Sequence, residues 1–338
     1  MFTDNILLGE LENRDGIWFG PAGGYWSNLD IDESKSCLKD LSVQGARKTV
    51  EKYFPQHLDV IFSPKRAGGL PLLDPKPGEV IVDVGCMWGA LTIPLAMAGC
   101  TVIAIDQTLE SLKLLQQRLI DDALTNVEIV CSDLKKVRYA DSAVDMFVVN
   151  GVMEWIPETG TIELKKYYGK KLAKKNDYRD RPDILQKDFL QRLCCGLKTE
   201  GKLYLAIENR FDFFYFLGLP DPHCNLKFIT FLPRKAQDFI SKIFLGRPYV
   251  NWTYSQRSLR KMLMDAGFRD ISFSYTFPNY RSPEYILSQK GMSFYRPSLY
   301  KHGKSFVIKA LCYTVEYLIF KILRLTIFAP SFIVIAKK

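Results

Sequence analysis

Three aspartates each stand at the end of a short run of β-branched and apolar residues. Asp83 lies in EVIVDVG, Asp106 ends TVIAID and Asp133 ends VEIVCSD. One Asp at a strand-to-helix turn is commonly a helix N-cap, but acids at three successive strand ends lie along one edge of a parallel sheet. Their carboxylates can accept hydrogen bonds from the hydroxyls of a ribose and from amino groups. The spacing therefore predicts a binding site for a nucleoside that also carries an amino group.

The first of these acids precedes a glycine turn, GCMWG, that leads into a predicted helix. Backbone N–H groups of such a turn, with the positive end of the following helix, bind a ligand at the carboxyl end of a strand. A dinucleotide fingerprint needs glycine where Met87 stands, because a side chain there blocks the pyrophosphate. A nicotinamide or flavin cofactor is therefore disfavoured. S-adenosylmethionine, which has no phosphate and is cationic at sulfur, fits this turn and the three acids better.

Strand-like and helix-like segments alternate from residue 79 onward, and this alternation must position the acids. Parallel neighbours need a crossover connection, so the pattern predicts an α/β fold with a doubly wound, mostly parallel sheet. Seven strands are predicted, in a Rossmann-like arrangement: residues 79–85, 101–106, 127–133, 144–151, 202–209, RDISFSYTFP and the C-terminal APSFIVIAKK.

The chain is predicted to consist of an N-terminal cap, residues 1–78, and a larger domain, residues 79–338. The cap does not follow the alternation and is expected to lie over the open end of the sheet. A basic insertion at 158–182 contains KKYYGKKLAKKNDYRDR. A run of this kind suits a solvated segment, an anionic substrate, a membrane surface or nucleic acid.

An apolar helical excursion is predicted at residues 279–328, between the last two strands. Charged residues, among them Lys309 and Arg324, interrupt its apolar run, so no stretch reaches the length that spans a bilayer. A buried helix and a helix that lies on the membrane surface both remain open.

The composition is that of an ordinary globular protein: 338 residues, 47% of them hydrophobic and 25% charged, with a formal net charge of +9. The first residues lack an apolar signal segment, which predicts a cytoplasmic protein. There are eight cysteines without a C-x-x-C pair and only three histidines, none near two cysteines. The sequence therefore predicts no metal site.

Residues 79–155 resemble the core of the class I S-adenosylmethionine-dependent methyltransferases, whose seven-strand order is also similar. Met87 departs from the family's usual G-x-G-x-G, in which a glycine stands at that position. The resemblance implies S-adenosylmethionine as cofactor and contacts to it from Asp83, Gly85 and Gly89 in the first motif, Asp106 in the second, Asp133 in the third and Asn150 in the fourth. The neighbouring Cys86, Gln107, Ser132 and Leu134 complete the predicted cofactor site.

A narrower resemblance concerns the acceptor of the methyl group. The segments NGVMEWIPE, AIENRFDFFYFLGLPDPHCN, YSQRSLRKMLMDAGF and FPNYRSPEYIL look like parts of bacterial methyltransferases of lipopolysaccharide, O-antigen and other surface-glycan biosynthesis. This implies O-methylation of a sugar hydroxyl in a surface glycan or a lipid-linked precursor. It also implies contact with the inner face of the membrane.

A sugar hydroxyl has a high pKa, so its methylation implies a general base beside the methyl donor. His223 in PDPHCN is the first candidate, with Asp221 as an orienting acid; Glu154 and Glu208 are rivals. A structural hydrogen bond in a loop is the alternative role for His223.

Other acceptors and functions stay open. Aromatic residues in 210–216 and 273–285 suit a small lipid or a quinone-like acceptor, and the basic insertion suits RNA. Methyltransferases of nucleobase amines carry Asn or Asp, Pro, Pro and an aromatic residue after the fourth strand. This chain has Asn150-Gly151-Val152-Met153 there, and no Pro-Cys pair, which disfavours a nucleic-acid acceptor. A regulatory subunit that binds the cofactor without catalysis is a further alternative.

Overall fold

A computed structural model describes residues 3–21, 26–27, 31–158, 162–163, 181–288, 314 and 317–338. Most of the predicted basic insertion and residues 289–313 of the predicted excursion lie outside the described residues.

The strands are given in chain order: β1 (Leu7–Leu8), β2 (Glu12–Arg14), β3 (Ile17–Phe19), β4 (Trp26–Ser27), β5 (Val80–Val84), β6 (Thr101–Asp106), β7 (Val127–Cys131), β8 (Arg138–Tyr139), β9 (Val144–Asn150), β10 (Ile162–Glu163), β11 (Leu197–Glu208), β12 (Arg269–Phe277), β13 (Tyr285–Ser288) and β14 (Ser331–Lys337). The α-helices follow: α1 (Thr3–Ile6), α2 (Ile31–Gln44), α3 (Ala46–Tyr53), α4 (Leu58–Phe62), α5 (Thr92–Met97), α6 (Leu109–Asp121), α7 (Pro182–Gly196), α8 (Phe213–Phe216), α9 (Arg234–Leu245) and α10 (Gln256–Asp265). Single turns of 3-10 helix span Pro55–His57, Pro64–Ala67, Leu70–Leu72, Met153–Trp155 and Thr326–Phe328, and a π-helical turn spans Tyr317–Ile322.

The main sheet has the order β13-β12-β14-β11-β9-β5-β6-β7-β3-β2. The strands from β11 to β3 are parallel, whereas β14 runs antiparallel between β11 and β12. The predicted α/β class and the mostly parallel sheet are confirmed.

The predicted number of seven strands is wrong, because the described sheet has ten. The additional strands are β2 and β3, which extend the sheet beyond β7, and β13, which pairs with β12. Each has only three or four residues, too few for a clear alternation of apolar and polar positions. They satisfy backbone groups that would be unpaired at the edges of a seven-stranded sheet.

The central strands form because their β-branched side chains are buried on both faces, as is usual in parallel sheets. On one face, Phe147 of β9 and Leu205 of β11 pack with apolar residues of α7 and α10. On the other face, Val102 of β6 packs with residues of α5, and its neighbour Ala104 packs with residues of α6. The result is a three-layer arrangement with the sheet in the middle.

The N-terminal helices pack beside the turn that follows β5. Val50, Phe54 and Ile61 form a buried cluster with Trp88 of that turn and Leu114 of α6. The division of the chain at residue 78 stays a prediction, although β2 and β3 belong to the main sheet. Among the described residues, no helix combines the length and the apolar character needed to cross a bilayer.

Candidate active site

The glycine turn lies at the carboxyl end of β5, where two positions require glycine. Gly85 and Gly89 have φ of +74° and +75°, which side chains rarely adopt. A Cβ at Gly85 would lie 2.3 Å from Cγ2 of Val152, and one at Gly89 would lie 2.3 Å from Cδ1 of Leu115. The backbone therefore passes close to α6 and to the segment that follows β9.

Asp83 and Asp106 lie beside this turn and are both buried. The Thr92 hydroxyl donates to the Asp83 carboxylate over 2.6 Å, and burial raises the pKa of Asp83 to about 6. Asp106 accepts backbone N–H bonds from Met87 at 2.9 Å and Thr108 at 2.8 Å, and burial raises its pKa. A carboxylate has about four acceptor positions, so the two bonds to Asp106 leave it room for further donors.

The third predicted acid lies at the carboxyl end of β7, under an N-terminal segment. The Ser132 hydroxyl and the Asp133 N–H donate to the Pro21 carbonyl at 3.1 and 2.9 Å. An oxygen of Asp133 also accepts from the N–H of Lys135 at 3.0 Å. Sequence reasoning did not foresee the contact with Pro21, because nothing in residues 1–21 signals pairing with β7.

The remaining predicted cofactor residues lie at the same edge of the sheet or next to it. Cys86 is buried in the turn and Gln107 directly follows Asp106, whereas Leu134 packs into the core. Asn150 ends β9, and neither polar atom of its buried side chain has a hydrogen-bond partner within the described residues. An unpaired buried polar group costs about 1–3 kcal/mol. The unpaired amide and the close backbone of the turn fit a polar ligand at this edge.

A second group of functional side chains comes from three separate segments. Glu154 lies in the single turn after β9, Glu208 ends β11 and His223 lies in the loop between α8 and α9. The Nε2 atom of His223 is 3.9 Å from Oε1 of Glu154 and 3.9 Å from Oε2 of Glu208. All three residues are buried. The structure thus brings together the predicted base His223 and both of its rivals.

Neighbouring groups hold two of these side chains. The carboxylate of Asp221 accepts from the backbone N–H of His223 at 2.7 Å, lies 2.8 Å from its Nδ1 and accepts the hydroxyl of Tyr249. Oε1 of Glu208 accepts from the hydroxyl of Tyr280 at 3.1 Å and from Arg281 at 3.3 Å. Asp221 therefore orients His223, and the Tyr280–Arg281 pair orients Glu208.

Burial and neighbouring charges together shift the pKa values in this group. Burial lowers the pKa of His223, but the negative charges of Asp221, Glu154 and Glu208 outweigh it and raise that pKa to about 10. Burial, and then the charge of Glu208, raise the pKa of Glu154. The charge of His223 overcomes burial at Asp221 and lowers the pKa of that carboxyl.

The two groups of residues adjoin one another. A Cβ on Gly151, which follows Asn150, would lie 2.2 Å from the Tyr280 hydroxyl that donates to Glu208. The next residue, Val152, lies equally close to the glycine turn, since its Cγ2 would be 2.3 Å from a Cβ on Gly85. The sequence suggests that aromatic residues of 273–285 meet a lipid-like acceptor, but the spacing of FPNYRSPEYIL does not show that Tyr280 and Arg281 hold the glutamate at the end of β11.

Part of the chain is similar in sequence to known methyltransferases. Residues 81–167 match the family model of a methyltransferase domain. Human mitochondrial ubiquinone biosynthesis O-methyltransferase is 27% identical over 198 residues, which are 58% of this chain and 43% of that protein. Ribosomal RNA small subunit methyltransferase A of Methylibium petroleiphilum is 24% identical over 226 residues, which are 64% of this chain and 84% of that protein.

The solved structure of an S-adenosylmethionine-dependent methyltransferase from Mesorhizobium loti is 13% identical and gives a TM-score of 0.46, covering 82% of this chain and 100% of that one. The chain spans less than half the length of the human relative. Neither of the two sequence relatives is named for a glycan acceptor, so the narrower resemblance stays a prediction. The chain is therefore similar to a methyltransferase domain over residues 81–167, the part that contains the glycine turn and the central strands β5, β6, β7 and β9.

Proposed function

We propose that the protein transfers the methyl group of S-adenosylmethionine to a hydroxyl oxygen, in a sugar of a surface glycan or of its lipid-linked precursor. The observation that carries the proposal is the grouping of Glu154, Glu208 and His223, since Glu154 follows Val152, the residue that lies against Gly85 of the glycine turn. The cofactor supplies an activated methyl group, so the chain has to position the acceptor and receive its proton.

The need for a proton acceptor favours a hydroxyl. An alcohol loses its proton on methylation and has a high pKa, so a buried base increases the rate. Both oxygens of Glu154 lack a hydrogen-bond partner among the described residues. We assign the acceptance of the hydroxyl proton to Glu154, with His223 beside it and Asp221 as the group that orients His223.

For the cofactor, each acid receives a separate role. Asp83 pairs with the ammonium group of the methionine part, and Asp106 accepts the ribose hydroxyls. Asp133, with Ser132, accepts the exocyclic amine of adenine, and Asn150 hydrogen bonds near the methionine part. These assignments extend the family resemblance and are supported by the burial of Asp83, Asp106 and Asp133 at one edge of the sheet.

A membrane-bound acceptor is supported by the surface of α9. Apolar side chains of a surface helix normally face the core, but in α9 Phe239, Ile243 and Phe244 are 65%, 61% and 70% exposed, whereas Gln237 and Ser241 are buried. Lys235 and Lys242 of the same helix are exposed. An apolar face flanked by lysines suits the surface of an anionic membrane. We propose that this face contacts the membrane that carries the lipid-linked acceptor.

A quinone precursor is the second candidate acceptor, favoured by the similarity to ubiquinone biosynthesis O-methyltransferase. It also has a hydroxyl oxygen and a lipid tail, so the base and the apolar face of α9 would serve it equally well. The fold alone does not separate the two acceptors, because one fold supports many substrates.

The test is incubation of the purified protein with methyl-labelled S-adenosylmethionine and three fractions from the source cells: surface glycans with their precursors, quinone lipids, and RNA. Label in methyl ethers of the glycan fraction is expected, and label in the lipid fraction instead would establish the second candidate. Label only in RNA, or in no fraction, would overturn the proposal. An Asp106→Asn chain, which should not bind the cofactor, measures the background.

A further inference from the structure

We propose that Glu154, Glu208 and His223 form a binding site for a divalent metal cation. Each residue offers one ligand atom, and the three atoms lie within 4.8 Å of one another. They are two carboxylate oxygens and one imidazole nitrogen, which are common ligands of divalent cations.

The atoms that face one another are unpaired. Both oxygens of Glu154, Oε2 of Glu208 and Nε2 of His223 are buried without a hydrogen-bond partner among the described residues. Separations of 3.9 Å between Nε2 and the two carboxylates are too long for hydrogen bonds. Burial of unpaired charged groups is costly. A cation between the three atoms, bound in place of the proton on Nε2, would satisfy all of them at once.

The surroundings hold the ligands through their other atoms, as in known metal sites. A histidine that binds a metal usually gives its second N–H to a carboxylate, which fixes the ring. Here Nδ1 of His223 is 2.8 Å from Asp221, and this leaves Nε2 toward the carboxylates. Oε1 of Glu208 is likewise held by Tyr280 and Arg281, which leaves Oε2 toward His223.

The mixed ligand set indicates the kind of cation. Imidazole favours Zn²⁺ and other late transition metals, whereas carboxylates also suit Mn²⁺. Ligands bind Zn²⁺ at about 2.0–2.2 Å, so the three side chains would close slightly around the ion. Three protein ligands leave an open position on the cation. We infer that this position receives the acceptor oxygen, and that inference rests on the proposed function. The binding of the cation itself does not depend on the proposed function.

The test uses the purified full chain after treatment with a chelator. Mn²⁺ is added and free Mn²⁺ is measured by electron paramagnetic resonance, and Zn²⁺ is titrated in competition with a coloured chelator. We expect one site per chain and affinity about 10–100-fold weaker in Asp221→Asn, since loss of an orienting carboxylate has that effect. Glu154→Gln and Glu208→Gln should lose the site. Glu200→Gln removes an exposed carboxylate far along β11 and should bind like the wild type.

Absence of binding by the wild-type chain at millimolar metal would overturn the proposal, even if a variant fails to fold. So would unchanged binding in both glutamine variants. Metal binding without methyl transfer to any fraction would leave the site and overturn the proposed function. Methyl transfer by a chain that binds no metal would overturn the metal site alone.

Discussion

Replacement of Gly85 by alanine should destabilise the protein and weaken cofactor binding together. A Cβ at this position would lie 2.3 Å from Cγ2 of Val152, and the backbone has a φ of +74°. A left-handed conformation costs an L-residue about 1–2 kcal/mol, and overpacking of a core costs about 1–3 kcal/mol. We therefore expect the free energy of unfolding to fall by about 2–5 kcal/mol. The affinity for S-adenosylmethionine should fall too, because the glycine turn must move to make room for the side chain of the introduced alanine.

Gly246→Ala is the matched control. Gly246 has a φ of +70° but no atom within 4 Å of an added Cβ, so only the backbone cost of about 1–2 kcal/mol applies. Urea denaturation gives the stability of both variants, and equilibrium titration gives the affinity for the cofactor. A second change, Val152→Ala, should recover part of the loss in Gly85→Ala. Equal destabilisation by Gly85→Ala and Gly246→Ala, with cofactor affinity unchanged, would show that Val152 does not crowd the turn.

Three further predictions follow from the site and its surroundings. Burial raises the pKa of Asp83 to about 6, helped by the charge of Asp106 and opposed by that of Arg66. Because the ionised carboxylate is the form that would pair with the ammonium group of the cofactor, cofactor affinity should rise as pH rises through about 6. The affinity of Asp83→Asn should not show this rise. The folded protein favours the protonated form of Asp83, so Asp83 should increase the free energy of unfolding of the cofactor-free protein below about pH 3.8. This contribution should disappear as pH rises through about 6. Phe239→Asn should reduce co-sedimentation with anionic vesicles without changing cofactor affinity, and wild-type protein that stays in the supernatant at all salt concentrations would count against the membrane contact. Arg247 pairs with the buried Glu158 at 2.8 Å, so Arg247→Met should cost about 3–5 kcal/mol in urea denaturation, and a cost below about 1 kcal/mol would show that the pair is not buried in solution.

The central strands were predictable because their burial on both faces gives continuous apolar runs. The observed β6, Thr101–Asp106, coincides with its prediction, and β9 differs only at its carboxyl end. The strands β2, β3 and β13 were not predictable, since each is short. β3 pairs with β7, which is distant in sequence, whereas β2 and β13 extend the sheet from the neighbouring strands β3 and β12. Their positions depend on which edges of the sheet are free, which is a property of the whole fold.

The same distinction applies to the site. Asp83 and Asp106 belong to local strand-turn-helix patterns, so their approximate positions follow from the sequence. Glu154, Glu208 and His223 come from three segments with no common spacing rule, and only the parallel order of β9 and β11 brings the two glutamates together. The histidine count predicted no metal site and stays untested; the metal site proposed at Glu154, Glu208 and His223 has only one histidine, so that count does not address it.

We have proposed that the group around His223 acts in methyl transfer while the glycine turn binds the cofactor. The direct measurement is a comparison of His223→Ala with the wild type, for binding of S-adenosylmethionine and for turnover with the labelled acceptor fraction. We predict unchanged cofactor affinity and a turnover lower by about 10²–10⁴-fold. Turnover close to that of the wild type would show that His223 has no part in methyl transfer.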